Sequence, residues 1–225
     1  MSFTSIARKF SAALAVSILL SSKSFGALLA PGGGVLTPIS APPVGAVIVP
    51  GVPVPFTGPG PNGFSGTLST TVIQENAAAN PLLGLTFIYQ LHNNANSATA
   101  LERLVTTDFG SFGGWATDVS YAPTGQAPTV TDRSINAGSV IGWDFTGPPL
   151  GLGTLAPGLT SGELIVRTNA PGYDLTQQAS VIDGSTVAVG AAGPSPTNIS
   201  PEPGSISIIA IAAMGLGRLG RRKHD

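Results

Sequence analysis

The side chains that most often carry catalytic chemistry are sparse in the central part of this chain. Its one histidine there, His92, precedes two asparagines and is expected at the end of a strand. No Gly-x-Ser-x-Gly segment is present, so serine catalysis would lack its usual nucleophile elbow. Two carboxylates meeting in a cleft would suit glycoside hydrolysis. The candidates are Asp108, Asp118, Asp132, Asp144, Glu163 and Asp183. Isolated aspartates in glycine-rich connections are ordinarily turn residues, so we assign no catalytic residue and expect no enzyme.

The sequence contains none of the common motifs for metal or cofactor binding. The chain has no cysteine, which removes disulfides and thiolate metal sites. EF-hand, phosphate-binding and dinucleotide-binding motifs are not found. We therefore predict no cofactor and no metal-ligating residue, and leave calcium bridging between loop carboxylates as an open alternative.

Two tryptophans are the candidates for a ligand-binding surface. Trp143 alternates with Ile141 and Phe145 in a predicted strand, which favours a place in the core. Trp115 follows the Phe-Gly-Gly segment at 112–114, a flexible connection. Because aromatic faces stack on sugar rings, Trp115 is the one candidate ligand residue that we name.

The C-terminus carries a motif with a different chemistry. The triplet Pro201-Glu202-Pro203 precedes an apolar run from Gly204 to Gly217. As a helix this run would span about 21 Å, short of the roughly 30 Å of a hydrocarbon core. A group of basic residues follows: Arg218, Arg221, Arg222 and Lys223. Basic residues favour the cytoplasmic side, so the pattern predicts a short apolar helix and a transient membrane stop, with an ordinary membrane anchor as the alternative.

This order of parts resembles the PEP-CTERM sorting signal of exopolysaccharide-producing Gram-negative bacteria. The residues that carry the resemblance are Pro201, Glu202, Pro203, Gly204, the apolar run and the basic tail. The resemblance implies that an exosortase, a membrane transpeptidase, cuts near the triplet and passes the protein toward the surface. Arg218 is a departure, since the apolar run of the family is usually uninterrupted. The central region is also similar, more loosely, to a domain of such proteins, and that similarity implies no catalytic residue.

Residues 1–26 have the anatomy of a secretory signal peptide. Its parts are the basic pair Arg8-Lys9, the apolar core Phe10 to Leu20, and the small residues Ser24 and Gly26. We predict a signal helix, export by the general secretory route, and cleavage by signal peptidase after Gly26. Cleavage after Ala30 is the alternative.

Removal of both terminal signals changes the charge of the chain. Residues 27–200 keep three arginines, no lysine and nine acidic residues, a formal charge of −6. Such a chain is repelled by phosphate backbones, which argues against nucleic-acid binding.

Composition divides the rest of the chain into three zones. Residues 31–61 contain nine prolines and seven glycines, so we interpret 27–61 as a linker or an edge segment, in which residues 47–56 could form an edge strand. Residues 62–193 are the predicted folded domain. Residues 194–200 are a spacer before the sorting signal at 201–225.

The predicted domain is all-β, because its apolar residues alternate with period two. In residues 85–91, Leu85, Phe87, Tyr89 and Leu91 share one face. Other strands are predicted at 67–74, 115–121, 139–145, 163–168 and 181–189, with a hairpin turn at Asp183-Gly184. Only residues 98–105 are considered as a helical turn. The pattern favours an antiparallel β-sandwich of the jelly-roll or immunoglobulin type.

These observations lead to one expected function and two alternatives. We expect an exported, exosortase-processed protein that passes through the inner membrane to the cell surface or the biofilm matrix of a Gram-negative bacterium. There it would make structural or adhesive contacts with exopolysaccharide or other envelope components. The alternatives are a carbohydrate-binding module for exopolysaccharide and a secreted hydrolase.

Overall fold

The computed structural model describes residues 26–59, 63–146 and 155–198. These residues form antiparallel β-sheets, with one 3₁₀ turn at Ser111–Gly113. The predicted signal helix, the apolar C-terminal helix, the triplet at 201–203 and the basic tail lie outside the described residues. Within the described ranges, no helix is long and apolar enough to cross a membrane. The all-β prediction is confirmed.

Fifteen strands follow one another along the described chain. They are β1 (Ala27–Leu28), β2 (Gly34–Leu36), β3 (Ala46–Val49), β4 (Val54–Thr57), β5 (Ser65–Gln74), β6 (Thr86–Asn93), β7 (Arg103–Thr106), β8 (Thr117–Ala122), β9 (Val130–Arg133), β10 (Ile141–Asp144), β11 (Glu163–Thr168), β12 (Gly172–Asp174), β13 (Gln178–Asp183), β14 (Ser185–Gly190) and β15 (Gly193–Ser195).

Two larger sheets hold most of these strands. The first has the order β1-β8-β11-β6-β5-β3, with β4 also paired to β5, and the second has the order β14-β13-β7-β10-β9-β2. Strands β12 and β15 form a separate pair. Strands β3 to β6 stay in the first sheet, whereas the connections from β1 to β2 and from β2 to β3 pass from one sheet to the other.

The core lies between the inner faces of the two large sheets. Tyr89 of β6 packs against Trp143 of β10, with ring centroids 5.6 Å apart. Phe87 meets Phe109 edge to face at 6.2 Å. The predicted inward face of residues 85–91 is confirmed, since its four apolar side chains are all buried. Alternation along β6 therefore correctly located the centre of the fold.

The predicted hairpin at Asp183-Gly184 is also confirmed. Strands β13 and β14 pair from Gln178↔Gly190 to Asp183↔Ser185. Gly184 between them has φ +60°, a conformation that glycine adopts without the penalty of a Cβ atom.

The helical turn considered at residues 98–105 is wrong. Residues 103–106 form β7, which pairs with β10 on one side and with β13 on the other. Leu104 and Thr106 are buried, whereas Arg103 and Val105, which alternate with them, are half-buried. This period of two, together with a partner on each side, overrides the helix-forming tendency of the local sequence.

Of the two interpretations of residues 27–61, a linker or an edge segment, the described part of the segment has the structure of the second. Four strands, β1 to β4, pair with β8, β9 and β5. Two side chains of this segment, Leu29 and Phe56, are buried in the core at 2% and 5% exposure. The edge-segment alternative is the one observed, and it extends further toward the N-terminus than residue 47.

Candidate functional site: an aromatic groove

A hollow of about 400 Å³ lies between segments of the two large sheets. Its walls are three chain segments: residues 28–31 from the end of β1, residues 113–117 that lead into β8, and the end of β9 with the loop after it, which contribute Arg133, Asn136 and Ala137. We call this hollow the aromatic groove. Its volume lies in the range of about 300–1,000 Å³ that is typical of ligand sites.

One aromatic side chain lines the groove, and a second lies beside it. Trp115 lines it and is half-buried. Phe112 is 74% exposed, and its ring centroid lies 6.3 Å from that of Trp115 with the planes tilted by 46°. An exposed aromatic ring beside a half-buried one gives a ligand two non-parallel apolar surfaces.

The loop that carries these rings is anchored in the core and strained at its tip. Phe109, fully buried, fixes its base, and its carbonyl accepts a hydrogen bond from the Trp115 amide at 2.9 Å. Asp108 and Phe112 hold positive φ angles of 69° and 56°. Left-handed backbone costs a non-glycine residue about 1–2 kcal/mol. Across the groove, Asn136 has φ 62° as well, so three of the four described non-glycine residues with positive φ lie in these two loops.

Arg133 holds the three walls together. Its Nε donates to the carbonyl of Gly138 at 2.7 Å, and one terminal nitrogen donates to the carbonyl of Leu29 at 3.0 Å and to Thr117 Oγ1 at 2.9 Å. The other terminal nitrogen donates to the carbonyls of Phe109 and Trp115 at 2.8 and 2.9 Å. A guanidinium has five N–H donors, and these five contacts use them all.

Burial has a clear electrostatic consequence at Arg133. The side chain is nearly inaccessible, at 4% exposure, and desolvation lowers its pKa from the ordinary value. Its charge is balanced by carbonyl dipoles rather than by a carboxylate. The groove is therefore built on a cation whose donors point into the protein walls.

Few polar groups remain for a ligand inside the groove. The indole N–H of Trp115 is buried and has no hydrogen-bond partner among the described residues. Asn136, an exposed lining residue, adds an amide. The other lining residues are mostly alanine, leucine, proline and glycine, and none is a carboxylate. The site can offer aromatic faces and an amide, but it holds no candidate general acid or base.

The two tryptophans have different environments. Trp143 is fully buried in the core, which confirms the prediction that it is a core residue. Trp115 lies between surface and core and lines the groove.

Sequence reasoning missed Phe112, Arg133 and Asn136 as parts of this site. The Phe-Gly-Gly-Trp segment at 112–115 was a usable signal for Phe112, whereas the role of Arg133 depends on contacts between distant segments.

The other candidate residues do not line the groove. His92 is in β6, with Nδ1 2.9 Å from Thr160 Oγ1. Asp132 and Asp144 flank Arg103 on neighbouring strands, with oxygen–nitrogen distances of 2.6 and 3.8 Å. The remaining positions are structural: Asp108 accepts from Thr107 and Ser111, Asp183 accepts from Thr99, and Glu163 begins β11. No group of three or more metal-ligating side chains occurs within the described ranges.

One candidate carboxylate, Asp118, belongs to a buried charge cluster. Arg167 on β11 donates from Nε to Glu75 at 2.9 Å, and one of its terminal nitrogens lies 3.9 Å from Asp118 Oδ1. All three side chains are at most 7% exposed. Burial raises the pKa of Asp118 above its ordinary value, against the effect of the Arg167 charge, which lowers it. Two carboxylates thus share one buried arginine.

A second hollow, of about 270 Å³, lies beside β3 and β4. Its lining includes Val49, Val52, Val54 and Leu175, and the buried hydroxyl of Thr70 there has no hydrogen-bond partner among the described residues. Its aliphatic lining lacks aromatic rings, so it offers less for specific recognition than the aromatic groove.

Comparison with known proteins found no matching family model, no matching curated protein and no matching solved structure.

Proposed function

We propose that this chain is an exported envelope or extracellular-matrix protein, processed by an exosortase, whose β-domain makes adhesive contacts at the cell surface. The signal-like residues 1–26 and the sorting-like residues 201–225 support export and processing. The two facing sheets correspond to a β-sandwich between these signals. Such a domain is a rigid scaffold on which loops can present a binding surface.

The position of β1 favours cleavage after Gly26 over cleavage after Ala30. Ala27 and Leu28 pair with Val119 and Asp118 of β8. The next residue, Leu29, is buried in the core and its carbonyl accepts from Arg133. Cleavage after Ala30 would remove these contacts, whereas cleavage after Gly26 leaves β1 complete.

The adhesive contact that the geometry favours is with a polysaccharide in the aromatic groove. The observation that carries this proposal is the pairing of an exposed, strained Phe112 with Trp115 at the hollow. A buried-core role would not require that exposure, and the ring contact with Trp115 places the exposed ring of Phe112 next to the hollow. Hydrolysis is not proposed for this site, since its lining lacks carboxylates.

Phe112→Ala tests the adhesive role of the groove. The substitution removes an exposed ring, so the free energy of unfolding should change by no more than about 0.5 kcal/mol. Retention of the processed protein on the polysaccharide that exporting cells produce should fall at least about tenfold, which corresponds to about 1.4 kcal/mol of lost binding free energy. Co-sedimentation measures the retention, and thermal unfolding measures the stability.

Leu83→Ala is the matched control. Leu83 is 71% exposed and has φ 67°, close to the exposure and backbone of Phe112, but it has no aromatic ring and so lacks the ring contact that Phe112 makes with Trp115. Polysaccharide retention should be unchanged in this variant. Equal retention by wild type and Phe112→Ala would contradict the groove as the adhesive surface.

A further inference from the structure

The charge of the groove restricts what kind of polysaccharide it can hold. An anionic sugar, such as a uronic acid, needs a donor-rich cation to compensate the desolvation of its carboxylate. Arg133 is the one charged residue that lines the groove, and all its donors are used by the walls. Nothing else in the lining supplies positive charge.

The charge of the whole processed chain also disfavours the binding of anionic polysaccharides. Residues 27–200 have a formal charge of −6. The other two arginines of that region, Arg103 and Arg167, are paired with carboxylates. A polyanionic chain that approaches this protein is therefore repelled at long range and meets no free arginine at short range.

The polar groups that the groove does offer suit hydroxyl groups. The amide of Asn136, an exposed lining residue, can both donate and accept. The faces of aromatic rings carry partial negative charge. They attract the C–H bonds on the apolar face of a pyranose ring, which carry partial positive charge.

The sheet edges beside the groove offer little to a peptide that binds as an added strand. That mode needs a free sheet edge next to the groove. The edge strands there are β1 and β2, and they are only two and three residues long. A compact, uncharged ring fits the observed walls better than an extended backbone does.

We propose that the aromatic groove binds uncharged hexose units of a polysaccharide and discriminates against uronic acids. This inference rests on the proposed adhesive function and adds to it the class of sugar. The rings of Phe112 and Trp115 hold the apolar face of the sugar, and Asn136 contacts its hydroxyl groups. Arg133 acts as a positioning residue that keeps the walls of the groove in place.

Binding to a panel of defined polysaccharides tests this inference. The probes are three neutral polymers, dextran, laminarin and mannan, and two uronic-acid polymers, alginate and polygalacturonate. The processed protein, purified from exporting cells, should bind at least one neutral polymer. Affinity should change by less than about twofold between roughly 0.05 and 0.5 M salt, since no ion pair contributes. Trp115→Ala should reduce it at least about tenfold, with thermal unfolding used to confirm that the variant is folded.

The outcomes separate the two proposals. Binding to a neutral polymer that depends on Trp115 supports both. Binding to alginate or polygalacturonate that depends on Trp115 would overturn the preference for uncharged sugars and leave polysaccharide adhesion intact. Failure of the folded wild-type protein to bind either the panel or the native polysaccharide would overturn both, including the case in which it binds a protein instead.

Discussion

At the scale of single residues, Phe112 combines two features that are each unfavourable for folding. Its left-handed backbone costs about 1–2 kcal/mol, and 74% of its side chain is exposed. Leu83 has the same two features without an aromatic neighbour, so strain by itself does not define a site. The ring contact with Trp115 and the adjacent hollow are what distinguish Phe112.

The buried cluster of Glu75, Arg167 and Asp118 leads to a prediction about pH. Because burial raises the pKa of Asp118, the folded state holds a proton there at pH values where the unfolded state, with a pKa of about 3.9, has lost it. This group therefore costs stability as the pH rises above that value, by up to about 1.4 kcal/mol per pH unit. Asp118→Asn, which cannot ionise, should lack this cost.

Chemical denaturation at several pH values measures the effect. The free energy of unfolding of Asp118→Asn, relative to wild type, should rise between about pH 4 and pH 7. A difference that stays constant across this interval would contradict the prediction. Glu75→Gln gives the contrast within the same cluster: it leaves buried Arg167 without its 2.9 Å partner and should destabilise the protein by about 3–5 kcal/mol at pH 7.

At the scale of elements, the proline-rich N-terminal segment completes the edges of the fold. Strands β3 and β4 pair with the two ends of β5, and the chain crosses between them at residues 50–53. At the other edge, β8 is paired with β1 and bonded through Tyr121 to Pro38 and Ser40. Prolines lack an amide donor and suit edge positions, so this segment closes the sheets without offering a long free edge.

Deletion of residues 27–57 is therefore expected to destabilise the domain strongly. It removes four strands and two buried apolar side chains, Leu29 and Phe56, each of which costs about 2–5 kcal/mol when truncated. Thermal unfolding should show a loss of cooperativity or a free energy of unfolding reduced by more than about 4 kcal/mol. The single variant Val44→Ala, at a position 81% exposed, should stay within about 0.5 kcal/mol of wild type. A deletion variant that unfolds cooperatively near the original melting temperature would show that these strands are peripheral.

This segment also shows where prediction from the sequence reached its limit. Alternation was informative in β6, where Phe87, Tyr89 and Leu91 bury one face, and the Asp-Gly pair correctly indicated the β13–β14 hairpin. The proline content, in contrast, shows only that some residues lack an amide donor. It does not indicate whether the residues between the prolines pair with strands elsewhere in the chain. Strands β1 to β4 are short, and pairings such as Gly34↔Asp132 join residues far apart in the chain. The groove could not be predicted from the sequence either, because it depends on contacts of Arg133 with segments that are far apart in the chain.

At the scale of the whole molecule, the groove and the sorting signal occupy separate parts of the chain. The described domain ends at residue 198, and the triplet begins at Pro201. Processing at the triplet would remove four basic and at most two acidic residues with the apolar run, depending on the exact bond cut. The released domain would then be more acidic than its precursor, which favours solubility and weakens non-specific attraction to anionic surfaces.

Glu202→Ala is expected to block this processing. In the wild type, mass spectrometry of the surface form should find an N-terminus at Ala27 and no peptide from residues 206–225, because the proposed exosortase cleavage is near the triplet. Glu202→Ala removes the proposed recognition residue, so a precursor that retains Asp225 should accumulate in the inner membrane. The same chemical change in the folded domain, Glu163→Ala at the start of β11, should leave processing normal and so separates recognition from folding. Recovery of intact Asp225 in the wild-type surface form would contradict the proposed sorting, and it would favour a C-terminal segment that remains as a permanent anchor.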